Sequence, residues 1–325
     1  MKVFSFGCRP YDEMSIFEGL AGKMGMEVRC TKESLRPDSV HLAKGADYVS
    51  VLTEPVKADI LDELKKMGVK MLGARTVGYD HIDCSHAKKI GLRVSNSAYS
   101  PDAVAEYTVM LMLMALRNMK RIIERSAIND FTLKGLSGHN LSQRRVGIVG
   151  MGSIGMRVAE ILRGFGCEIC ASDPKELKLP GVRMMELKEL FSYCDLVTLH
   201  APLRENTRHL INRDTLAIMP KGTIIINTSR GALIDTEALI DALRSGRVGG
   251  CALDVIEGEH KLYYYNKKSL VPDDPRLSIL KDMPNSIVSP HIAFYTHCSV
   301  RDMVGNCLRA FILDSRGEEN PFRIV

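Results

Sequence analysis

Residues 145–155 read RVGIVGMGSIG, and this run constrains the fold more than any other part of the chain. An apolar strand pattern ends in Gly150, Gly152 and Gly155, the G-x-G-x-x-G spacing, and a helical pattern carrying Val158, Ile161 and Leu162 follows at once. In that context each glycine has a job. One closes the turn, one lets a pyrophosphate approach the backbone, and one lets the helix pack closely. The helix start then offers unpaired N–H groups and partial positive charge to phosphates. The next strand ends at Asp173, eighteen residues after Gly155, where a carboxylate bonds the ribose hydroxyls and repels a 2′-phosphate. The expected cofactor is NAD rather than NADP, with the nearby Lys175 arguing the other way. The bland alternative, a glycine-rich turn with no ligand, does not explain why strand, glycines, helix and acid all agree.

At 325 residues the chain exceeds what one hydrophobic core supports, so two domains are expected. The first third alternates short apolar runs (KVFSF, VRC, YVSVL, VKMLGA, LRVS) with helical patterns over 14–24 and within 55–68, where Ile60, Leu61 and Leu64 form an apolar face. After residue 145 a second series appears: VGIVG, EICASD, LVTLH, TIIINTS, GGCALDV and SIVSPH. Such alternation predicts βαβ units. The fold class expected is α/β, two doubly wound parallel-sheet domains, Rossmann-like or flavodoxin-like, with a cleft between them. One long helix is predicted from Asp102 through 126, with Ser100 as N-cap and Pro101 in the first position. It is apolar nearly all round from Val109 to Leu116, which predicts cover on most sides by the other domain or another subunit.

Composition removes several function classes. A net charge of +5 with no dense basic block lacks the footprint of a nucleic-acid binder. The apolar run from Val109 to Leu116 is far shorter than the roughly 18 residues of a membrane span, and MKVFSFGCRP is too briefly apolar for a secretory leader. The nine cysteines are scattered, and the one C-x-x-C pair, Cys167 and Cys170, falls on a strand pattern that turns the two thiols to opposite faces. No metal site is expected, and a reducing, cytosolic setting is.

Three segments end predicted strands, where open α/β sheets place their chemistry: NTSRGALIDTEAL, ALDVIEGE and SPHIAFYT. Together with GMGSIG, RTVGYDHID and YSPDAVAEYTVML they resemble the D-isomer-specific 2-hydroxyacid dehydrogenase family over essentially the whole chain, and within it the D-lactate dehydrogenases, including the vancomycin-resistance type. The resemblance implies that Arg230 holds the substrate carboxylate, His291 is the acid/base and Glu259 is its acidic partner. It implies substrate contacts from Val77, Gly78, Tyr99 and Phe294. It implies cofactor contacts from Ser153, Ile154, Ala201, Pro202, Thr207, Thr228, Ser229 and Asp254, beside the glycines and Asp173. It also implies a split arrangement, with residues 1–99 and 297–325 as the substrate domain and 100–296 as the NAD-binding domain, and it favours a homodimer.

The chemistry of the residues supports the same three roles. A planar guanidinium grips a carboxylate bidentately and fixes which carbonyl face is presented. As hydride reaches the carbonyl carbon a proton must reach the oxygen, and an imidazole can give and retake it. A carboxylate on the far ring nitrogen orients that imidazole. Singly, each residue has an ordinary structural reading: Arg230 as a strand end, Glu257 and Glu259 as loop charges, His291 as a turn histidine, His200 as a packed one. Their joint order beside a nucleotide turn favours the functional reading. A formate dehydrogenase of the same superfamily would carry an amide at Glu259, so the glutamate argues for acid/base work. The chain has no tryptophan, so any family position filled by one is filled otherwise here. The aromatic stretch EHKLYYYNKKSLVPDDP resembles the loop that follows the glutamate in D-lactate-type members, with packing the commoner reading of its tyrosines, and Phe294 and Tyr295 stand where a side-chain pocket would be shaped. Pyruvate and D-lactate are the first expectation. 2-Oxoisocaproate, phenylpyruvate and 2-oxoglutarate are alternatives, and an NADH-sensing corepressor-like binding protein is the rival of another class, separated from an enzyme by rapid NADH oxidation with pyruvate.

Overall fold

The computed structural model describes residues 1–175, 177, 179–259 and 274–325, so most of the aromatic stretch (260–273) lies outside the described residues. The chain divides into two compact units, Met1–Ser100 with Tyr295–Val325, and Pro101–Phe294.

The first unit is built on β1 (Lys2–Ser5), α1 (Met14–Met24), β2 (Glu27–Cys30), β3 (Tyr48–Val51), α2 (Ala58–Lys66), β4 (Met71–Ala74), α3 (Cys84–Ile90) and β5 (Arg93–Ser95). Its sheet is wholly parallel in the order β2-β1-β3-β4-β5, the flavodoxin-like arrangement. The α2 helix buries Ile60, Leu61 and Leu64 against one face. On the other face the C-terminal helix, which spans His297–Arg316, packs with α1 and β4. A buried ion pair sits beyond the strands: Arg75 and Glu13, both fully enclosed, bond at 3.1 Å. Burial alone would raise the Glu13 carboxyl, but the guanidinia of Arg75 and Arg9 outweigh it and hold the group below the usual carboxylate range. Arg75 also donates to Ser5 and Ser50 hydroxyls and the Phe6 carbonyl. Its backbone is thereby fixed just before the Thr76–Gly78 loop.

The second unit begins with α4 (Asp102–Leu116) and α5 (Met119–Ala127) and continues β6 (Arg145–Val149), α6 (Ser153–Arg163), β7 (Glu168–Ser172), β8 (Arg183–Met184), α7 (Leu187–Tyr193), β9 (Leu196–Leu199), α8 (Arg213–Ile218), β10 (Thr223–Asn227), α9 (Thr236–Arg244), β11 (Val248–Leu253), α10 (Pro275–Asp282) and β12 (Ser286–Val288). The C-terminal helix of the first unit is then α11. All seven strands are parallel, in the order β12-β11-β10-β9-β6-β7-β8. The order reverses between β6 and β9, the point at which a doubly wound sheet opens a crevice for a dinucleotide. Cys170 packs on one face with Leu190 and Cys194, and Cys167 packs with the cluster on the other.

Two sequence expectations change here. The single long helix is two. Asn118 adopts the left-handed region at φ 53°, its amide donates to the Ser137 carbonyl at 3.0 Å, and the incoming His139 N–H takes the Leu116 carbonyl at 2.9 Å. Asparagine tolerates that conformation, and the arriving chain satisfies the helix end. The first helix also starts with Pro101, not Ser100, at the cap position. The apolar helix is covered in part within the chain itself. Val104, Ala105, Thr108, Val109, Leu111, Met112 and Leu116 are buried, whereas Met110 is 40% exposed beside an apolar groove shared with Leu113, Ile122, Ile161 and Phe165.

Candidate active site

Nearly every site residue expected in the second unit falls at the carboxyl ends of its strands. The turn after β6 is shaped by the glycines. Gly150 has φ +94°, and a Cβ there would lie 2.8 Å from the His200 carbonyl carbon and 2.9 Å from the Ala201 nitrogen. A Cβ at Gly155 would lie 2.1 Å from the Gly150 oxygen, while one at Gly152 would meet nothing within 4 Å. Gly150 and Gly155 are therefore demanded by the protein itself, and the space at Gly152 is what a pyrophosphate would fill. Ser153 and Ile154 open α6 directly behind. Asp173, after β7, turns one oxygen to the Met151 N–H at 2.7 Å and the other to the Lys175 N–H at 2.9 Å, so the acid also holds the turn. These features fit a dinucleotide on the residues present.

Across the switch point, Ala201, Pro202 and Thr207 follow β9. Ser229 Oγ donates to the Ala201 carbonyl and Thr207 Oγ1 to that of Pro202, each at 2.7 Å. Thr228 pairs its hydroxyl with Thr108 at 2.8 Å. His200 sits beside Thr198 at 3.0 Å. Part of the residue stays accessible, but the protein around the ring dominates and burial pushes its pKa down to about 4, which makes it a neutral packed histidine.

The three proposed catalytic side chains come from the ends of β10, β11 and β12. Arg230 begins the tight turn Gly231–Leu233, with its carbonyl fixed by Asn227 Nδ2 at 2.9 Å. His291 Nδ1 meets Glu259 Oε1 at 2.6 Å, and Glu259 Oε2 accepts the Ile256 N–H at 2.7 Å. The carboxylate at Nδ1 fixes the orientation of the imidazole ring. His291 itself is held at φ 53°. The agent that holds it is Asp254. This fully buried carboxylate accepts from Ser289 Oγ (2.6 Å), Ile292 N (3.0 Å) and Ala293 N (2.9 Å), and the Asp254 carbonyl accepts the His291 N–H at 2.7 Å. Sequence reasoning placed Asp254 beside the cofactor and missed this work on the histidine turn. Phe294 lies edge-on to His291, ring centroids 6.4 Å apart.

In the first unit, Val77 and Gly78 form a loop after β4. Thr76 Oγ1 donates to the Gly78 carbonyl at 2.6 Å, and Asn96 Nδ2 to that of Val77 at 2.8 Å. The Ser97 N–H reaches Thr76 at 3.0 Å, so the loop is stapled to the segment that leads into Tyr99. Tyr295 donates to Asp12 at 2.7 Å, and Asp12 in turn binds Arg9 at 3.0 Å. Neither Asp12 nor Glu13 carried any signal in the sequence.

A dinucleotide cradle at a sheet switch point, followed by an arginine and a histidine–carboxylate pair on neighbouring strand ends, defines an oxidoreductase that works with a nicotinamide nucleotide. Residues 109–293 match the model of the D-isomer specific 2-hydroxyacid dehydrogenase, NAD binding domain. The chain is 41% identical over 315 residues to a D-specific alpha-keto acid dehydrogenase of Enterococcus faecalis, covering 95% of this chain and 96% of that one. Among solved structures it is similar to a D-2-hydroxyisocaproate dehydrogenase (TM-score 0.89, 34% identity, 100% of this chain and 99% of that one). It is also similar to a D-lactate dehydrogenase of Treponema pallidum (TM-score 0.88, 31% identity, 100% of both chains). The chain belongs to the D-isomer-specific 2-hydroxyacid dehydrogenases and is an NAD-dependent oxidoreductase.

Proposed function

We propose that the enzyme interconverts pyruvate and D-lactate in the cytosol. The observation that carries this reading is the 2.6 Å pair of His291 and Glu259 on a turn that Asp254 fixes. Gly150, Gly152, Ser153, Ile154, Gly155 and Asp173 would hold the nicotinamide nucleotide, with Ala201, Pro202, Thr207, Thr228, Ser229 and Asp254 beside it, and NADH would supply the hydride when bound. Arg230 grips the substrate carboxylate with its planar fork, helped by the amides of Val77 and Gly78 and by Tyr99. His291 delivers a proton from Nε2 to the carbonyl oxygen as negative charge gathers there, and in reverse takes it from the hydroxyl. Glu259 orients the ring and holds it in the useful tautomer. Phe294, packed on His291, limits the space for the substrate side chain.

The likeness to a D-lactate dehydrogenase supports pyruvate, and that to a D-2-hydroxyisocaproate dehydrogenase supports a longer 2-oxo acid as the second reading. Rates of NADH oxidation with pyruvate, 2-oxoisocaproate, phenylpyruvate and 2-oxoglutarate, with chiral analysis of the products, decide between them. The highest kcat/KM on pyruvate with D-lactate as product supports the first; a tenfold preference for a larger acid replaces it with the second.

A homodimer through the NAD-binding domain forms part of the same reading. The open groove beside Met110 has a volume of about 520 Å³ and is lined by Val109, Leu113, Ile122, Ile161 and Phe165, and a second copy of the chain would cover it. Light scattering is expected to give twice the chain mass for the wild type and the chain mass for Met110→Glu. A monomeric wild type contradicts the assembly.

A further inference from the structure

One carboxylate outside the assigned set gathers three basic side chains. Glu257 Oε1 accepts from Arg208 Nη2 at 2.6 Å and lies 3.0 Å from His209 Nε2, and Oε2 meets Arg276 Nη1 at 3.5 Å. The carboxylate is 17% exposed, so salt screens it less than it would a surface pair. We infer that Glu257 is a positioning residue for the reaction: it clamps the strip Ile256–Glu259, which backs the Arg230 turn on one side and carries the partner of His291 on the other. The inference rests on the roles proposed above for those residues.

The strip is tied to both sides. A Cβ at Gly231, the residue after Arg230, would lie 2.0 Å from the Ile256 carbonyl carbon and 2.4 Å from the Glu257 nitrogen, so the two backbones are in direct contact. His209 reinforces this. It is held in the left-handed region at φ 50°, its N–H donates to the Ala232 carbonyl at 2.8 Å within the turn after Arg230, and its ring reaches Glu257. A non-glycine residue keeps such a conformation only where its surroundings impose it. On the other side Glu259 anchors to the Ile256 N–H and holds His291. Among the described residues, the charged groups that face the clamp are Arg208, His209 and Arg276, with Asp274 bonded to Arg276 at 2.6 Å and Glu237 near it. A shift of the strip would therefore move the carboxylate-gripping and proton-handling groups together, and a misplacement of about 1 Å can cost up to 10²-fold in rate.

The test uses Glu257→Gln in the full chain, which keeps the shape and removes the charge. Pyruvate reduction is expected to lose roughly tenfold in kcat while the Kd for NADH stays within about twofold, because the glycine turn lies on other loops. The alkaline limb of the kcat profile is expected to move as Glu259 loosens from His291, and Glu257→Asp should recover part of both effects. Arg276→Gln repeats the measurement with a milder loss should the first variant fold poorly. Glu259→Gln separates the two levels: if it leaves the limb in place, the histidine–carboxylate reading itself fails. If it moves the limb while Glu257→Gln does not, the clamp alone is overturned, whether the latter variant keeps its rate or loses it together with its Tm.

Discussion

His291→Ala is expected to lower kcat for 2-oxo acid reduction by about 10²- to 10⁴-fold, the usual share of a general acid, with the Kd for NADH changed less than about twofold. The separation of effects follows from placement. His291 stands after β12 and the glycine turn after β6, each held by its own contacts, Asp254 in one case and Asp173 in the other. Stopped-flow fluorescence for NADH binding and steady-state rates for turnover check the two halves. Near-normal turnover in the variant would remove the acid/base role.

The second large effect is expected at the glycines, and its pattern matters more than its size. Gly155→Ala would put a methyl group 2.1 Å from the Gly150 oxygen, a backbone clash no rotamer relieves. The start of α6 must move, with a loss of roughly 1–3 kcal/mol in stability. Because the phosphate-binding amides move with it, NADH affinity should fall about tenfold or more, each tenfold corresponding to about 1.4 kcal/mol. Gly152→Ala should behave differently. Nothing in the protein lies within 4 Å of the added carbon, so Tm should hold while NADH affinity falls. A Gly152→Ala enzyme that binds NADH as the wild type does would show that the dinucleotide does not use this turn.

What could be read in the sequence was what is local in it. The strand–glycine–helix run, Asp173 and the strand-end segments containing Arg230, Glu259 and His291 are short patterns whose meaning depends on a few neighbours. What could not be read depends on chain that arrives from far away. The break at Asn118 is set by residues 137–139 reaching the end of α4, and no periodicity announces it. Arg75 and Glu13 are 62 positions apart, and each alone looks like an ordinary surface charge. Asp254 showed its place at a strand end but not its partners, since the three groups it holds lie 35 to 39 residues on. The two-residue strand β8 is too short to leave a pattern, and it pairs with the edge of β7.

The most direct test of the central claim, that His291 with Glu259 carries the proton of a hydride transfer on a 2-oxo acid, is the pH dependence of both directions measured with one preparation of the enzyme. Reduction of pyruvate should fade as pH rises and the imidazolium loses its proton, whereas oxidation of D-lactate should rise over the same range as the free base becomes available. Profiles that are flat, or that run in the same sense in both directions, would contradict it.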